Sequence, residues 1–347
     1  MSEALLVTGA PASSAIGQAS TLCHATLARG SKSFALAGRL LPPGARTHAA
    51  VLYTFCRNVD DAIDLSPPEG QPLALEALSR RLEAVYAGEP QHDLAFAAFA
   101  ELVQKVSIPP LYPRELLAGM RMDVVGTRYE NLDDLLLYCH RVAGVVGLMM
   151  CHVLGIEKDS ALQKAAHLGM AMQLTNICRD VAEDWQLGRL YIPRSLLPQP
   201  SVHALEPRAG TPLPDCARAP LALAVARLLG LAEQFYRSAD TGLAALPWRA
   251  RLAIRAARHV YASIGGRIAA QGYDVSLGRA VVPAHWKLWL IARSGVRSIA
   301  DLGSSRGRVY RLPSRALVFP SDVLPLESQG PGLRPSSGVS SSQEASS

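Results

Sequence analysis

Apolar residues recur every three or four positions along most of this chain of 347 residues, and this spacing restricts the folds that it can adopt. In the segment PLALEALSRRLEAVYAG, for example, Leu75, Leu78, Leu82 and Val85 share one face of a helix. A proline suits the first turn of this helix, and a glycine suits its end. Because we find no convincing set of alternating strands, the pattern predicts an all-α protein.

The same periodicity predicts further helices over residues 116–125, 132–154, 161–185, 221–239 and 249–270. No Pro/Gly-rich linker divides the helical region into separately patterned halves. We therefore expect one helical domain over residues 19–300, with a proline-rich loop at 194–220. Residues 1–18 are predicted to be disordered. The Ser-, Gly- and Pro-rich region 301–347 is predicted to be an extended, largely disordered tail.

The amino-acid composition limits the classes of binding partner and the cellular compartment that we expect for this protein. The net charge of +6 suits an anionic ligand or an anionic membrane surface, whereas the dispersed Lys and Arg residues argue against nucleic acid. Scattered cysteines without a CxxC pair predict reduced thiols. A secretory signal would require basic residues near its start, but no Lys or Arg precedes Arg29. The apolar run 142–156 is shorter than the ~20 residues of a membrane span. We expect a cytoplasmic protein, with peripheral membrane contact left open.

A first acidic cluster, VDDAID, follows directly after an apolar aromatic segment. Asp60 and Asp64 are four residues apart, so on a helix both carboxylates project from one face, with Arg57 one turn earlier. Like charges at this spacing repel each other, and they repel more strongly when partly buried. A bound cation would offset that repulsion.

A second acidic cluster, NICRDVAED, repeats this arrangement more than a hundred residues later. Gln173, Asn176, Asp180 and Asp184 form a continuous polar stripe on one helix face. Mg²⁺ prefers one or two carboxylates plus phosphate oxygens, so two such faces opposing each other would bind metal around a diphosphate. A single DxxxD pair would indicate a solvated surface helix. Two matched clusters in otherwise apolar stretches favour a metal and diphosphate site.

Four ordered motifs then carry a resemblance to a known family. YTFCRNVDDAID and QLTNICRDVAEDWQLGRLYIP resemble the two aspartate-rich signatures of the squalene and phytoene synthase family, the head-to-head trans-prenyltransferases. SKSFALAGRLLPP and YCHRVAGVVG resemble two further segments of that family, and the likeness covers residues 20–295. It implies an isoprenoid-synthase-type helical bundle around a central apolar cavity, Mg²⁺ dependence with Mn²⁺ as a substitute, and prenyl diphosphate substrates.

The resemblance also implies roles for individual residues. The metal ligands would be Asp60, Asp64, Asn176, Asp180 and Asp184, and these aspartates would act in catalysis together with Arg57 and Tyr53. Tyr53, Tyr138 and Tyr261 are candidate cavity aromatics, although ordinary core tyrosines explain each one equally well. The implied substrate contacts are Ser31, Ser33, Phe34, Tyr138, Gln173, Asn176, Arg179, Arg189, Tyr261, Arg279 and Lys287.

One residue departs from the family pattern. His140 stands where an aromatic Tyr is more usual, and we expect this change to matter little if the side chain faces solvent.

The amino-acid sequences of these motifs are most similar to those of bacterial phytoene synthases. It implies the condensation of two geranylgeranyl diphosphates, through prephytoene diphosphate, to phytoene in carotenoid biosynthesis, without NADPH. The alternative is a squalene, presqualene diphosphate or dehydrosqualene synthase acting on farnesyl diphosphate. A non-enzymatic assembly factor and a terpene cyclase are further alternatives, and the oligomeric state stays open.

Overall fold

The computed structural model describes residues 14–156, 158–198, 205–280, 282–283, 286 and 289–290. Within these residues the chain forms helices and turns and no strand, which confirms the predicted all-α class. The α-helices of this part are α1 (Ala15–Gly30), α2 (Lys32–Gly38), α3 (Pro43–Asp64), α4 (Gln71–Tyr86), α5 (Leu94–Lys105), α6 (Leu111–Val124), α7 (Leu132–Cys139), α8 (Val145–Val153), α9 (Asp159–Gln186), α10 (Arg218–Asp240) and α11 (Trp248–Ala270).

Two limits of the predicted disordered and loop regions differ from the structure. Helix α1 begins at Ala15 because the Ser14 hydroxyl caps it, accepting a hydrogen bond from the backbone N–H of Gly17 at 3.1 Å. Residues 15–18 are therefore helical, although the sequence predicted disorder up to residue 18. Helix α10 begins at Arg218, two residues before the predicted end of the proline-rich loop. The predicted tail, 301–347, lies outside the described residues.

The helix predicted over residues 132–154 is interrupted. A π-helical turn, His140–Gly144, separates α7 from α8 and packs against α6 and α9. His140 is 4% exposed in this turn, so the condition under which its departure from the family pattern was expected to matter little, a side chain facing solvent, is not met. Burial, followed by the nearby Arg141 charge, lowers the pKa of His140 to about 4, which keeps the imidazole neutral at physiological pH.

Glycines allow the π-helical turn and α8 to approach α9 closely. A Cβ atom at Gly147 would lie 2.3 Å from the carbonyl oxygen of Ala165, and one at Gly169 would lie 2.1 Å from the carbonyl oxygen of Ala143. Neither position can hold a larger residue unless the backbones separate.

The core surrounds two long helices. Helix α3 packs against α1 and α5, where the Phe55 ring stacks on Phe99 with centroids 3.6 Å apart. Helix α9 packs against α8, α10 and α11. The segment Leu132–Val153 is long and apolar enough to cross a membrane by length and composition, and 56% of its most apolar window is buried inside the protein. That burial is typical of a core helix.

Candidate active site

The C-terminal ends of α3, α6 and α9 meet at one end of the helical bundle. Arg189, which follows α9, lies 3.4 Å from a carboxylate oxygen of Asp64 at the end of α3. Tyr191, also beyond α9, donates a hydrogen bond to Asp123 near the end of α6. The two acidic clusters predicted from the sequence therefore lie in one neighbourhood, which we call the acidic mouth, formed by the ends of α3, α6 and α9.

The first cluster occupies the last two turns of α3. Arg57 Nη1 lies 3.3 Å from Asp60, and Arg57 Nε donates to Asp61 at 3.1 Å. The Asp60 side chain is 46% exposed and that of Asp64 is 49% exposed, so both carboxylates remain open to a ligand. Arg57 thus places a guanidinium beside the carboxylates, as the sequence predicted.

The second cluster lies on α9. Arg179 Nε donates a hydrogen bond of 2.7 Å to Asp180, whose side chain is 17% exposed. Arg279 reaches the same carboxylate at 3.2 Å, which places this late basic residue in the acidic mouth. One helical turn before Arg179, the Asn176 amide donates to Gln173 at 3.4 Å. Lys287, the other late basic residue named from the sequence, lies outside the described residues.

Asp123 lies between the two clusters and was not predicted from the sequence. Its carboxylate accepts hydrogen bonds from Tyr191 at 2.8 Å and Tyr138 at 3.0 Å. Its charge also contributes to the raised pKa values of both Asp60 and Asp184. Asp123 is a lone acid in the segment LAGMRMDVVG, so helical spacing carries no signal for it. Its position between apolar residues near a helix end was the sole hint.

Crowding of carboxylates changes their protonation. Burial and then the charge of Asp64 raise the pKa of Asp60 to about 6, although Arg57 acts in the opposite direction. Burial and then the charge of Asp180 raise the pKa of Asp184 to about 7. Burial also raises the pKa of Asp123, against the hydrogen bonds from its two tyrosines. The acidic mouth therefore holds excess negative charge that a cation would relieve.

An aromatic wall lies beside the second cluster. The Phe34 ring stacks on Tyr261 with centroids 5.1 Å apart, and it meets Tyr53 edge-on at 6.5 Å. Ser31 caps α2, accepting a hydrogen bond from the Phe34 backbone at 3.2 Å, and its side chain also hydrogen-bonds to Tyr261. Ser33 is half-buried in the same helix. The fold thus places the serine segment, Ser31 and Ser33, beside the aromatic side chains of Phe34, Tyr53 and Tyr261.

Tyr138 is buried beside Asp123. Its ring is buried between Tyr191, at 5.1 Å, and Tyr129, at 5.5 Å, and it does not line the apolar cavity within the described residues. Its hydroxyl is committed to Asp123. Tyr138 therefore supports a carboxylate of the acidic mouth, and of the two alternatives considered for it, the buried core tyrosine fits these contacts.

A cavity of about 370 Å³ extends from the acidic mouth into the bundle. Tyr53, Gln173, Asn176 and Tyr261 line its outer part, and most of its remaining lining residues are apolar. Its lining along α9 extends from Asn176 to Ala161, which corresponds to about 22 Å at the rise of an α-helix. This confirms the predicted central apolar cavity, and its shape suits an extended hydrocarbon chain.

The donor set fits a metal that is shared with a phosphate ligand. Within the described residues, no three His, Cys, Asp or Glu side chains converge closely enough to hold a metal alone. Mg²⁺ does not need such a cage, because it takes one or two carboxylates and completes its shell with water and phosphate oxygens. Asn176 Oδ1 is buried, faces this region and has no hydrogen-bond donor among the described residues. It is therefore available as an oxygen ligand.

Comparison with known proteins gives consistent results. The family described as Squalene/phytoene synthase matches residues 27–287. The phytoene synthase of Cereibacter sphaeroides is 36% identical over 306 residues, covering 86% of this chain and 85% of that protein. The 15-cis-phytoene synthase of Pantoea ananas is 40% identical over 267 residues, covering 73% and 84% of the two chains.

Solved structures resemble the whole helical bundle. A dehydrosqualene synthase in complex with a ligand superposes with a TM-score of 0.73 at 26% identity, covering 82% of this chain and 98% of that chain. A squalene synthase from Alicyclobacillus acidocaldarius gives a TM-score of 0.64 at 23% identity, covering 75% and 96% of the two chains. The second likeness supports the fold alone.

Proposed function

The chain belongs to the squalene/phytoene synthase family and is a prenyltransferase, and from that premise we propose that it condenses two geranylgeranyl diphosphates head to head into phytoene. The observation that carries this proposal is the similarity to 15-cis-phytoene synthases at up to 40% identity over most of the chain. The paired acidic clusters at the mouth of a long apolar cavity support the same conclusion from the geometry.

We assign the metal to the acidic mouth. Mg²⁺, with Mn²⁺ as a substitute, would be held by Asp60 and Asp64 from α3 and by Asn176, Asp180 and Asp184 from α9, together with diphosphate oxygens. When bound, the metal would withdraw charge from the leaving diphosphate and so favour ionisation of the allylic C–O bond. The support is chemical: a buried amide oxygen without a donor and carboxyl groups with raised pKa values.

The basic residues of the acidic mouth would bind the diphosphate. The Arg57 and Arg179 guanidiniums each pair with an aspartate and carry further N–H groups that can bind phosphate oxygens. Arg189 pairs in the same way with Asp64, and Arg279 pairs with Asp180. These charges would stabilise the departing anion, because they are fixed before the bond breaks. Ser31, Ser33 and Lys287 are proposed as further contacts to the diphosphate.

The cavity would protect the carbocation. An allylic cation reacts with water, so the reaction needs a dry and weakly nucleophilic enclosure. The apolar lining supplies this enclosure, and the faces of Phe34, Tyr53 and Tyr261 can stabilise positive charge electrostatically. In the proposed sequence, the C1 cation left by loss of the first diphosphate adds to the C2–C3 double bond of the second substrate, and loss of a proton closes the ring of the cyclopropylcarbinyl diphosphate. Loss of the second diphosphate and of one proton then gives the triene.

The depth of the cavity favours the longer substrate. Its lining spans about 22 Å along α9, which leaves room for a chain of four isoprene units below the diphosphate. A second candidate, a dehydrosqualene or squalene synthase using farnesyl diphosphate, is favoured by one observation, the structural likeness to a dehydrosqualene synthase. The retention of both carboxylate clusters argues against a non-enzymatic assembly factor.

The test is product identification. The purified protein would be incubated with Mg²⁺ and labelled C15 or C20 diphosphate, with and without NADPH. We expect a C40 triene from the C20 substrate in the absence of NADPH, and no reduced product when NADPH is added. A C30 hydrocarbon as the main product would favour the second candidate, a cyclised product of one substrate molecule would indicate a terpene cyclase, and no turnover would favour the assembly factor.

We further propose a cytoplasmic protein that contacts a membrane surface, because its product is a hydrocarbon without a polar head. The net charge of +6 supports contact with anionic lipid. We also propose that residues 19–300 form a single helical domain.

A further inference from the structure

Two segments of the chain carry positive charge without any acidic residue. Residues 14–59 contain no Asp or Glu but contain Arg29, Lys32, Arg39, Arg46 and Arg57. Residues 241–273 likewise lack acids and contain five arginines. Helix α2 from the first segment packs against α11 from the second, so the two segments meet in the bundle, and of their basic residues Arg57 and Arg258 are paired with acids outside them.

Part of this positive surface lies at the far end of the bundle from the acidic mouth. Helix α3 runs from Pro43 to Asp64 over 22 residues, or about 33 Å, so its start lies far from the aspartates at its end. Leu41 packs there with Ala250 and Ala253 from the beginning of α11. We call this surface the basic end and define it by Arg39, Arg46, Trp248 and Arg249.

Direct contacts hold the basic end together. Arg249 Nε donates a hydrogen bond of 3.3 Å to the backbone carbonyl of Leu40, which joins α11 to the chain between α2 and α3. The Arg249 guanidinium lies 5.5 Å from the centroid of the Trp248 ring. Trp248 is nevertheless 64% exposed, which is unusual for a large aromatic side chain.

Nearby acids do not cancel this charge. Asp240 precedes the turn that leads to α11, but it is paired with Arg258 at 3.0 Å. Asp159 at the start of α9 is exposed and adjoins Lys158, which balances it. The basic end therefore keeps a net positive charge around an exposed tryptophan.

The apolar cavity reaches this same end. Leu41, Leu246 and Ala253 line it, and so does Arg46, which is exposed to solvent. The cavity thus connects the acidic mouth, where diphosphates would bind, to a basic surface at the other end of the bundle.

We propose that the basic end docks onto an anionic phospholipid bilayer and places the inner end of the cavity against the membrane. Arginines near the surface are attracted to anionic headgroups, and tryptophan prefers the boundary between headgroups and hydrocarbon. Charge complementarity selects this occupant. The suggested benefit rests on the proposed function: a C40 hydrocarbon would leave directly into the bilayer, without crossing a mouth lined with carboxylates and metal.

Vesicle binding by the full-length protein without substrate tests the docking surface. Co-sedimentation with phosphatidylcholine vesicles containing phosphatidylglycerol would be compared with pure phosphatidylcholine vesicles. The double variant Arg39→Glu/Arg249→Glu should lower the partition coefficient on anionic vesicles at least about 25-fold, from about fivefold for each charge. The matched control Arg80→Glu/Arg227→Glu changes exposed arginines on α4 and α10 by the same net charge and should have a much smaller effect.

A second pair of variants tests the tryptophan. Trp248→Ser should weaken binding to anionic vesicles, whereas Leu223→Ser, which removes an exposed leucine from α10, should not. Equal losses in the test and control variants, or no preference of the wild-type protein for anionic vesicles, would overturn the proposal. Each variant would first be shown to keep the wild-type Tm.

Activity in detergent separates this proposal from the proposed function. The Arg39→Glu/Arg249→Glu variant should retain turnover with detergent-dispersed substrate while it loses vesicle binding, and that combination supports docking. A variant that loses turnover in detergent to the same degree as vesicle binding would overturn docking as the role of these residues. A wild-type protein that binds anionic vesicles but makes no phytoene would refute the proposed function and leave the docking surface standing.

Discussion

The Tyr191 hydroxyl lies 2.8 Å from Oδ1 of Asp123 and donates a hydrogen bond to it. This bond joins the segment after α9 to the end of α6, and Tyr138 occupies the other carboxylate oxygen at 3.0 Å. Asp123 is thus fixed between the two acidic helices, although neither aspartate motif contains it. Its raised pKa reflects burial, which two tyrosine hydroxyls offset in part.

We expect Asp123→Asn to lower kcat by about 10- to 100-fold, the usual effect of removing a residue that supports a metal site. The amide keeps the shape of the side chain but removes a negative charge that contributes to the raised pKa values of Asp60 and Asp184. Steady-state kinetics with varied Mg²⁺ measure the effect. Tyr191→Phe, which keeps the charge, should have a smaller effect, and an equal loss in both variants would show that the hydrogen bond matters more than the charge.

Asp60→Asn and Asp180→Asn should each reduce turnover below detection while the far-ultraviolet circular dichroism stays helical. Each change removes one carboxylate from the proposed metal shell. Asp133→Asn, at an exposed position in the first turn of α7, is the matched control and should keep wild-type turnover. Full activity in either Asp60→Asn or Asp180→Asn would refute the metal assignment.

The contribution of Asp60 and Asp184 to the stability of the metal-free protein should fall as the pH rises from about 4 to 7. Asp60 and Asp184 have pKa values of about 6 and about 7 in the folded protein. An unfolded aspartate has a pKa of about 3.9, so in this pH range the folded state binds more protons at these two groups than the unfolded state does. Their contribution to stability therefore falls with increasing pH, whereas that of buried His140, whose pKa is lowered, rises. Differential scanning calorimetry in EDTA would isolate the aspartate contribution as the Tm difference between the wild-type protein and Asp60→Asn at each pH.

Asparagine at position 60 provides the control for that pH dependence. Asp60→Asn should raise the Tm of the metal-free protein at pH 8, where the wild-type carboxyl group is ionised, and raise it less at pH 5, where that group is protonated in the folded protein. Mg²⁺ with inorganic diphosphate should stabilise the wild-type protein more at pH 8 than at pH 5. A Tm increase that does not depend on pH would contradict the predicted crowding of carboxylates.

Filling the inner end of the cavity should change the preferred chain length. Ala253 is buried, and it lines the cavity where α11 meets Leu41. Ala253→Phe should lower kcat/KM for the C20 substrate by at least about 10-fold relative to the C15 substrate, since a phenyl ring removes space for the last isoprene unit. The ratio of the two values is the measurement, because a general loss of stability would reduce both. An unchanged ratio would show that the chains do not reach this depth.

The sequence was sufficient to predict the features that depend on local spacing. Pairs of aspartates four residues apart identify a helix face without any tertiary information, so Asp60 and Asp64 could be assigned to one site with Arg57. The all-α class follows from apolar periodicity in the same way. These predictions needed only the geometry of a single helix.

Features that depend on contacts between helices could not be predicted. Asp123 belongs to the acidic mouth only because the end of α6 meets Tyr191 across the bundle. The π-helical turn at His140 and the burial of that side chain depend on packing against α6 and α9. The basic end combines two segments separated by about two hundred residues in the sequence. Neither the helical periodicity nor the amino-acid sequence of a motif predicts such contacts.

The central claim is that the ends of α3 and α9 hold one diphosphate between them through bridging cations. Anomalous diffraction from a crystal grown with Mn²⁺ and a non-ionising thiodiphosphate analogue of the C20 substrate tests it most directly. We predict manganese peaks within coordination distance of Asp60 or Asp64 and of Asp180 or Asp184, with the prenyl chain of the analogue in the apolar cavity. Peaks confined to one helix, or an analogue bound away from the cavity, would contradict it.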